Sequence, residues 1–218
     1  MKKLALLGAS GHGKVVADAA LAGDWEVVEF FDDAWPQRPD NDPWPVTGDS
    51  AALLARLDEF AGVLVSIGDG AVRLAHQEVL AAAGAHLTIV VHPAAVVSRY
   101  AQLGPGSVVM AGAVVQIGTV TGAAVIVNTG ATVDHDCQLA DGVHVCPGAH
   151  LAGNVQVGRC SWIGIGAAVR QGLQIGAGVL AGAGAVIVGP VADGLTVVGN
   201  PARSLVAPPF HNPRDSLC

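Results

Sequence analysis

The sequence predicts two kinds of architecture in one chain: a small α/β unit with a parallel sheet, then an all-β solenoid. Three observations carry this. Short apolar runs alternate with helical patterns through residues 1–92, an apolar residue recurs at every sixth position from Leu103 to Ile187, and charge thins abruptly near residue 95. Residues 1–99 hold 20 charged side chains, residues 100–200 only 6, and the remainder 3.

In the first part, residues 4–7, 25–31, 63–67 and 87–91 read as strands, and residues 14–21, 50–57 and 71–83 read as helices. That order, βαβαβαβ, predicts a small Rossmann-like parallel sheet with crossover helices. Residues 34–45, with Pro36, Pro39, Pro43 and Pro45, are expected to be an exposed loop without regular structure.

The second part is an internal repeat. Stepping by six from Leu103 to Ile187 visits fifteen positions, thirteen of them Val, Leu or Ile, and three residues further on Gly stands in ten of the fifteen. A helix repeats at 3.6 and a strand at 2, so neither explains this. A short strand followed by a glycine-dependent turn does, and three such units close a triangular coil of 18 residues. Fifteen hexads make five coils stacked at strand spacing, a prism roughly 24 Å tall. No hexad is lengthened, so no large loop is expected to leave it. The expected divisions are 1–92, 93–203 and a C-terminal tail, 204–218.

Composition narrows the function. The net charge is −7, which repels phosphate backbones and anionic lipid, so neither nucleic acid nor a membrane surface is an expected partner. The uncharged runs 100–133 and 171–192 are long enough to span a bilayer, but they are rich in Gly, Thr, Gln or Asn and keep the period of six. The apolar start is interrupted at Gly8, so no targeting segment is read. Cys137, Cys146, Cys160 and Cys218 form no CxxC pair, and free thiols in a reducing cytoplasm are expected.

Three motifs carry chemistry. Gly8-Ala9-Ser10-Gly11-His12-Gly13 lies between a strand and a helix, where free backbone N–H groups favour an anion, although a glycine turn there also has purely structural uses. Its GxxGxG spacing is not the dinucleotide GxGxxG. Asp32 and Asp33 fall at the end of the second strand, positioned to accept hydrogen bonds from a ribose or base, or else to form a solvated turn. Asp134-His135-Asp136 breaks the repeat, with Asp136 in the glycine place. A histidine flanked by acids suits a general base, and an exposed polar turn is the alternative. His135, Cys137, His144, Cys146 and His150 lie within sixteen residues, yet side chains of such a coil stack only at separations near 18, so no metal site is expected.

The period of six resembles the hexapeptide-repeat acyltransferases, whose coils form a left-handed parallel β-helix. The glycine loop, Phe31-Asp32-Asp33, Ser66-Ile67-Gly68-Asp69, Asn128-Thr129-Gly130 before Asp134-His135-Asp136-Cys137, and Gly199-Asn200-Pro201-Ala202-Arg203 narrow the likeness. Together they resemble bacterial N-acetyltransferases of nucleotide-linked amino sugars, of the bacillosamine and perosamine type, and the related sialic-acid O-acetyltransferases, over residues 1 to about 205. The resemblance implies acetyl-CoA as co-substrate, a nucleotide-linked amino sugar (of the 4-amino-4,6-dideoxy class) as acceptor, and a cytoplasmic homotrimer. It implies His135 as general base supported by Asp136, where some relatives carry Glu. It implies Ser10, Gly11, His12 and Gly68 at the nucleotide sugar, with at least one of Asp32 and Asp33 on its nucleoside and His12 near the acceptor. His144 is implied at the thioester, Ile165 and Ala183 along the pantetheine, and Arg203 at the cofactor phosphates. Ala183 replaces a Gly of some relatives. His150, Trp162 and Cys160 are read as packing or interface residues. A sugar O-acetyltransferase and a non-catalytic nucleotide-binding scaffold are the competing readings.

Overall fold

A computed structural model describes residues 1–205. The part of the expected tail from residue 206 on, Cys218 included, lies outside the described residues.

Strand β1 (Lys3–Leu7) is the centre of a three-stranded parallel sheet, flanked by β2 (Val27–Phe31) and a strand at Gly62–Val65. Leu4, Ala5 and Leu6 are buried on both sides, as a central parallel strand requires. Helix α1 (Gly11–Ala22) follows β1 and buries Val16, Ala17, Ala19 and Ala20 against it. It starts three residues before the expected Lys14, which puts His12 in its first turn.

Two expectations for this part are corrected. Within residues 34–45, β3 (Asp40–Asn41) and β4 (Trp44–Pro45) form a short antiparallel ladder. The prolines do not prevent it, because Pro43 occupies the turn and Pro45 stands at the ladder's end, where no N–H is required. The strand expected at 87–91 is split. Leu87 makes only a bridge to Val63, while Val90–Val91 turns away to pair with Val108–Val109 of the solenoid. The sheet therefore has three strands, the third being β5 (Gly62–Val65). Helix α2 (Ser50–Leu54) is capped by the Asp49 side chain and is followed by a 3₁₀ turn at Leu57–Glu59. Helix α3 (Gly70–Ala82) is capped by Asp69.

The solenoid is a prism of two-residue strands on three faces. The first face runs Val90–Val91, Val108–Val109, Ile126–Val127, His144–Val145, Trp162–Ile163, Leu180–Ala181, Thr196–Val198, and ends on an antiparallel Arg203–Ser204. The second face has six strands, from Val96–Val97 to Val186–Ile187. The third has four, from Val120–Thr121 to Gln174–Ile175. The prism therefore begins at Val91 and Val97, two hexads before Leu103, and has about six turns rather than five. Glycine did not announce the first turn, since Ala94 and Tyr100 hold its fourth places. The last turn is two residues short: Val191 bridges Ile175 and Val197 pairs with Ala181.

The first and fifth places fill the core mainly with Val, Leu, Ile and Ala; Ser107, Thr119, Thr121, Cys137 and Ser161 are the buried exceptions. Of the fifteen fourth places, fourteen have positive φ: the ten glycines and Ala124, Asp136, Asn154 and Cys160. Only Pro190 departs. The α/β unit sits on the first face, where Val90, Val108, Met110 and Ile126 join the cluster of Leu4, Leu6, Val16 and Phe30.

Candidate active site

The glycine loop is shaped by close approach. Gly8 has φ +113°, and a Cβ there would stand 2.7 Å from Ile67; one on Gly13 would stand 2.5 Å from the Gly8 carbonyl. Gly11 differs, with nothing within 4 Å of a would-be Cβ, so it faces the open mouth of the loop. Ser10 begins α1 without a side-chain cap. Asp32 accepts from the Ala9 N–H at 2.7 Å and the Ala34 N–H at 2.9 Å, and lies 3.6 Å from Arg38, which also donates to the Ala9 carbonyl at 3.0 Å. Asp33 accepts from the Ser50 N–H at 2.8 Å. Partial burial pushes the Asp33 carboxyl up, but hydrogen bonding from Ser50 outweighs it and the pKa is lowered. Asp32 therefore braces the glycine loop, and Asp33 the start of α2.

His12 points from α1 toward the solenoid and meets His144 of the first face, ring centroids 6.1 Å apart. His144 is buried under the α/β unit, tilted against Trp162 at 4.3 Å. Its Nε2 accepts from the Asn128 amide at 3.0 Å, which leaves the proton of the neutral ring on Nδ1. That Nδ1 and the Nε2 of His12 are both buried without a partner among the described residues. Burial, reinforced by Arg73, lowers the His12 pKa to about 4; burial, then His12 and Arg73, lowers that of His144 to about 3. Both rings are neutral at pH 7.

His135 and Asp136 stand elsewhere, on the ridge between the second and third faces. The Asp134 carboxylate accepts from the His135 N–H at 2.8 Å, and His135 Nδ1 meets Asp136 Oδ2 at 2.8 Å. Asp136 holds φ +59°, a conformation that Asp tolerates better than most residues. Both side chains are more than half exposed. The hydrogen bond to Asp136, opposed by slight desolvation and aided by the charges of Asp134 and Asp136, raises the His135 pKa. With Nδ1 engaged, Nε2 is the free basic atom. It lies over Gly153, one coil on, where a Cβ would collide with it.

One protomer thus keeps the sequence-predicted residues in separate places on the prism. Ser10, Gly11, His12, Asp32, Asp33, Gly68 and His144 cluster on or beside the first face; His135 and Asp136 occupy the ridge opposite that face. Exposed Ile165 and Ala183 stack one coil apart on the ridge between the first and second faces, and exposed Arg203 closes the first face. Sequence reasoning passed over Asn128 and Trp162 as contacts of His144, and Arg73. Arg73 was readable, since Gly70, Arg73, Leu74, Gln77 and Leu80 form one buried helical stripe with a cation in it.

A solved acetyltransferase domain of PglB from Neisseria gonorrhoeae, in complex with acetyl coenzyme A, superposes with a TM-score of 0.90 at 49% identity, covering 94% of this chain and 99% of that one. PerB from Caulobacter crescentus, in complex with CoA and GDP-perosamine, superposes with a TM-score of 0.89 at 35% identity over 94% and 98% of the two chains. The chain belongs to the hexapeptide-repeat sugar acetyltransferases. Its solenoid is the left-handed β-helix of that family. Residues 3–80 of this acetyltransferase also match the PglD N-terminal domain. A UDP-N-acetylbacillosamine N-acetyltransferase of Bacillus subtilis is 36% identical over 107 residues, 48% of this chain, and the match spans 49% of that relative's length.

Among the described residues of the acetyltransferase, no three His, Cys, Asp or Glu gather as metal ligands, and no helix is long and apolar enough to cross a membrane. Cys137 fills a core position, and burial pushes the Cys146 thiol up to about 12, so neither is a thiolate nucleophile at pH 7.

Proposed function

We propose that this protein transfers the acetyl group of acetyl-CoA to the amine of a nucleotide-linked amino sugar, of the 4-amino-4,6-dideoxy class, in the cytoplasm. The observation that carries the reading is the His135–Asp136 pair, with Nδ1 engaged and Nε2 free on an accessible ridge. The amine nitrogen attacks the thioester carbonyl, and His135 Nε2 takes the proton that the nitrogen must lose. The tetrahedral intermediate collapses by breaking the C–S bond, and the imidazolium returns the proton to the departing thiolate. The products are the N-acetylated sugar nucleotide and free coenzyme A, and no acyl-enzyme is needed. Asp136 holds the ring and stabilises its cation.

Residues 1–92 serve as the nucleotide-sugar unit, through Ser10, Gly11, His12, Gly68 and the strand-end acids Asp32 and Asp33. Residues 93–203 carry the acetyl donor beside His144, Ile165 and Ala183, with Arg203 near its phosphates. Support comes from relatives alike over nearly the whole chain: PerB is described with CoA and GDP-perosamine, including variants in which one histidine is replaced by alanine or asparagine. These likenesses favour neither O-acetylation nor a scaffold without turnover.

The same reading makes the protein a homotrimer. His135 and the His12–His144 group lie on opposite sides of one prism, so a neighbouring copy has to bring them together. Exposed Tyr100 and Ile117, on the His135 ridge, and Val120, on the third face, supply apolar contact surface. Release of free thiol from acetyl-CoA, measured against a panel of nucleotide amino sugars, tests the activity. Turnover with an amino sugar is expected, and no turnover across the panel contradicts it.

A further inference from the structure

Helix α3 lies along the ridge between the third and first faces of the solenoid. Gln77 donates to the Pro105 carbonyl at 3.0 Å, Gly70 packs against the Gly142 carbonyl with no room for a Cβ, and Glu78 pairs with Arg159 at 3.0 Å. In its first turn, Arg73 is 1% exposed. Its guanidinium donates to four main-chain carbonyls: Ala124 at 2.9 Å, Gly142 at 2.9 Å, and Ile67 and Gly68 at 2.8 Å each. No carboxylate forms a salt bridge with it among the described residues.

A buried cation is a costly way to glue two units together, because an apolar side chain of similar volume docks them without desolvating a charge. What a planar guanidinium adds is geometry, since its donors fix several acceptors at once. The acceptors are informative. Gly142 is two residues before His144. Ile67 and Gly68 follow Ser66, whose hydroxyl donates to the Gly8 carbonyl at 2.7 Å, and Ile67 packs on Gly8 at the start of the loop that carries His12. One side chain therefore grips the backbones that carry both buried histidines.

We propose that Arg73 is a positioning residue for acyl transfer: by holding the Ile67, Gly68 and Gly142 carbonyls on one guanidinium, it fixes where the loop that carries His12, at the acceptor, stands against the solenoid face that carries His144. This rests on the function proposed above. Arg73 touches neither substrate; it acts through the 66–68 loop on His12, because His144 is also held by strand pairing with Ile126 and Trp162 and by the Asn128 amide. Its effect falls on how the acceptor is placed, while the acetyl-CoA track along Ile165 and Ala183 is left as it is.

Arg73→Met, Arg73→Lys and, as a control, Glu78→Gln test this in the full-length assembled protein. The readouts are kcat and KM for each substrate, thermal melting, and amide hydrogen exchange in peptides covering residues 8–13 and 66–69. For Arg73→Met the acceptor kcat/KM should fall roughly 10²-fold, the scale of an ångström-sized misplacement, with the acetyl-CoA KM unchanged and exchange accelerated in both peptides. Lys, which keeps the charge and part of the hydrogen bonding, should recover part of the loss, and Glu78→Gln should match wild type. If Arg73→Met does not fold, the same KM and exchange comparison on Arg73→Lys decides. Wild-type acceptor kcat/KM in the variants, or an equal loss for both substrates that tracks melting temperature, overturns the proposal. Absence of turnover in the wild-type protein would overturn the functional reading instead, and the exchange data alone would then decide whether Arg73 orders the two segments.

Discussion

The imidazole of His135 lies over the bare Cα of Gly153, one coil further along the same ridge, in the space where any side chain at 153 would sit. Gly153 does not have the positive φ that fourth-place residues need. Its lack of a side chain therefore serves the ring above it and not the local backbone. Gly153→Ala should displace Nε2 and lower kcat roughly 10²-fold. Melting temperature should hold or rise, because Gly→Ala at a permissive φ stabilises by about 0.4–1 kcal/mol. Gly189→Ala is the matched control on this ridge, with nothing within 4 Å of the new methyl. Steady-state kinetics and melting of the two variants check this, and equal kinetics contradict it.

The hydrogen bond that His135 donates to Asp136 raises the His135 pKa, so the acid limb of the kcat/KM profile reports that support. Asp136→Asn removes the negative charge, and the limb should move to lower pH while the plateau falls, because the remaining base is weaker. A pH–rate series from about pH 5 to 9 reads both changes. An unmoved limb would mean that the titration belongs to another group.

The proposed division of the site between copies predicts complementation. Gly11→Val places a side chain in the open mouth of the glycine loop and should impair acceptor use while acetyl-CoA binding survives. His135→Ala should fail for the opposite reason. Co-refolded mixtures of the two variants should regain activity, since some interfaces pair an intact glycine loop with an intact His135. Mixtures as inactive as their parents would argue that each chain carries a whole site.

Neutral burial of His12 and His144 makes the fold acid-sensitive. Their folded pKa values, about 4 and about 3, lie below the unfolded 6.5. The unfolded chain therefore binds more protons below pH 6.5, and stability declines from there down to about pH 3. Carboxylates with lowered pKa, such as Glu29 and Asp33, lose their contribution only as pH falls below the ordinary values of 4.5 for Glu and 3.8 for Asp. Denaturant midpoints between pH 7 and 5 should fall for wild type and stay flat for a His12→Asn, His144→Gln double variant. Equal slopes would contradict the assignment.

The solenoid was legible because each hexad repeats one physical unit, an inward apolar residue and a left-handed turn. Its first turn was not, because Ala94 and Tyr100 occupy the fourth places where glycine marks the others. Asp136 showed itself by standing where that turn normally takes glycine. The meeting of His12 with His144 left no local trace: it depends on how the α/β unit docks, and the docking is held by Arg73, whose acceptors are main-chain carbonyls that sequence does not display. The strand expected at 87–91 failed for a related reason, since Val90–Val91 pairs with a solenoid strand and not with its own sheet.

The most direct measurement is turnover by His135→Ala with saturating acetyl-CoA and an accepted nucleotide amino sugar, alongside calorimetric binding of both ligands. Loss of a positioned general base predicts a kcat lower by about 10²–10⁴-fold with both ligands still bound. A variant that keeps more than about a tenth of the wild-type kcat would show that His135 is not the base.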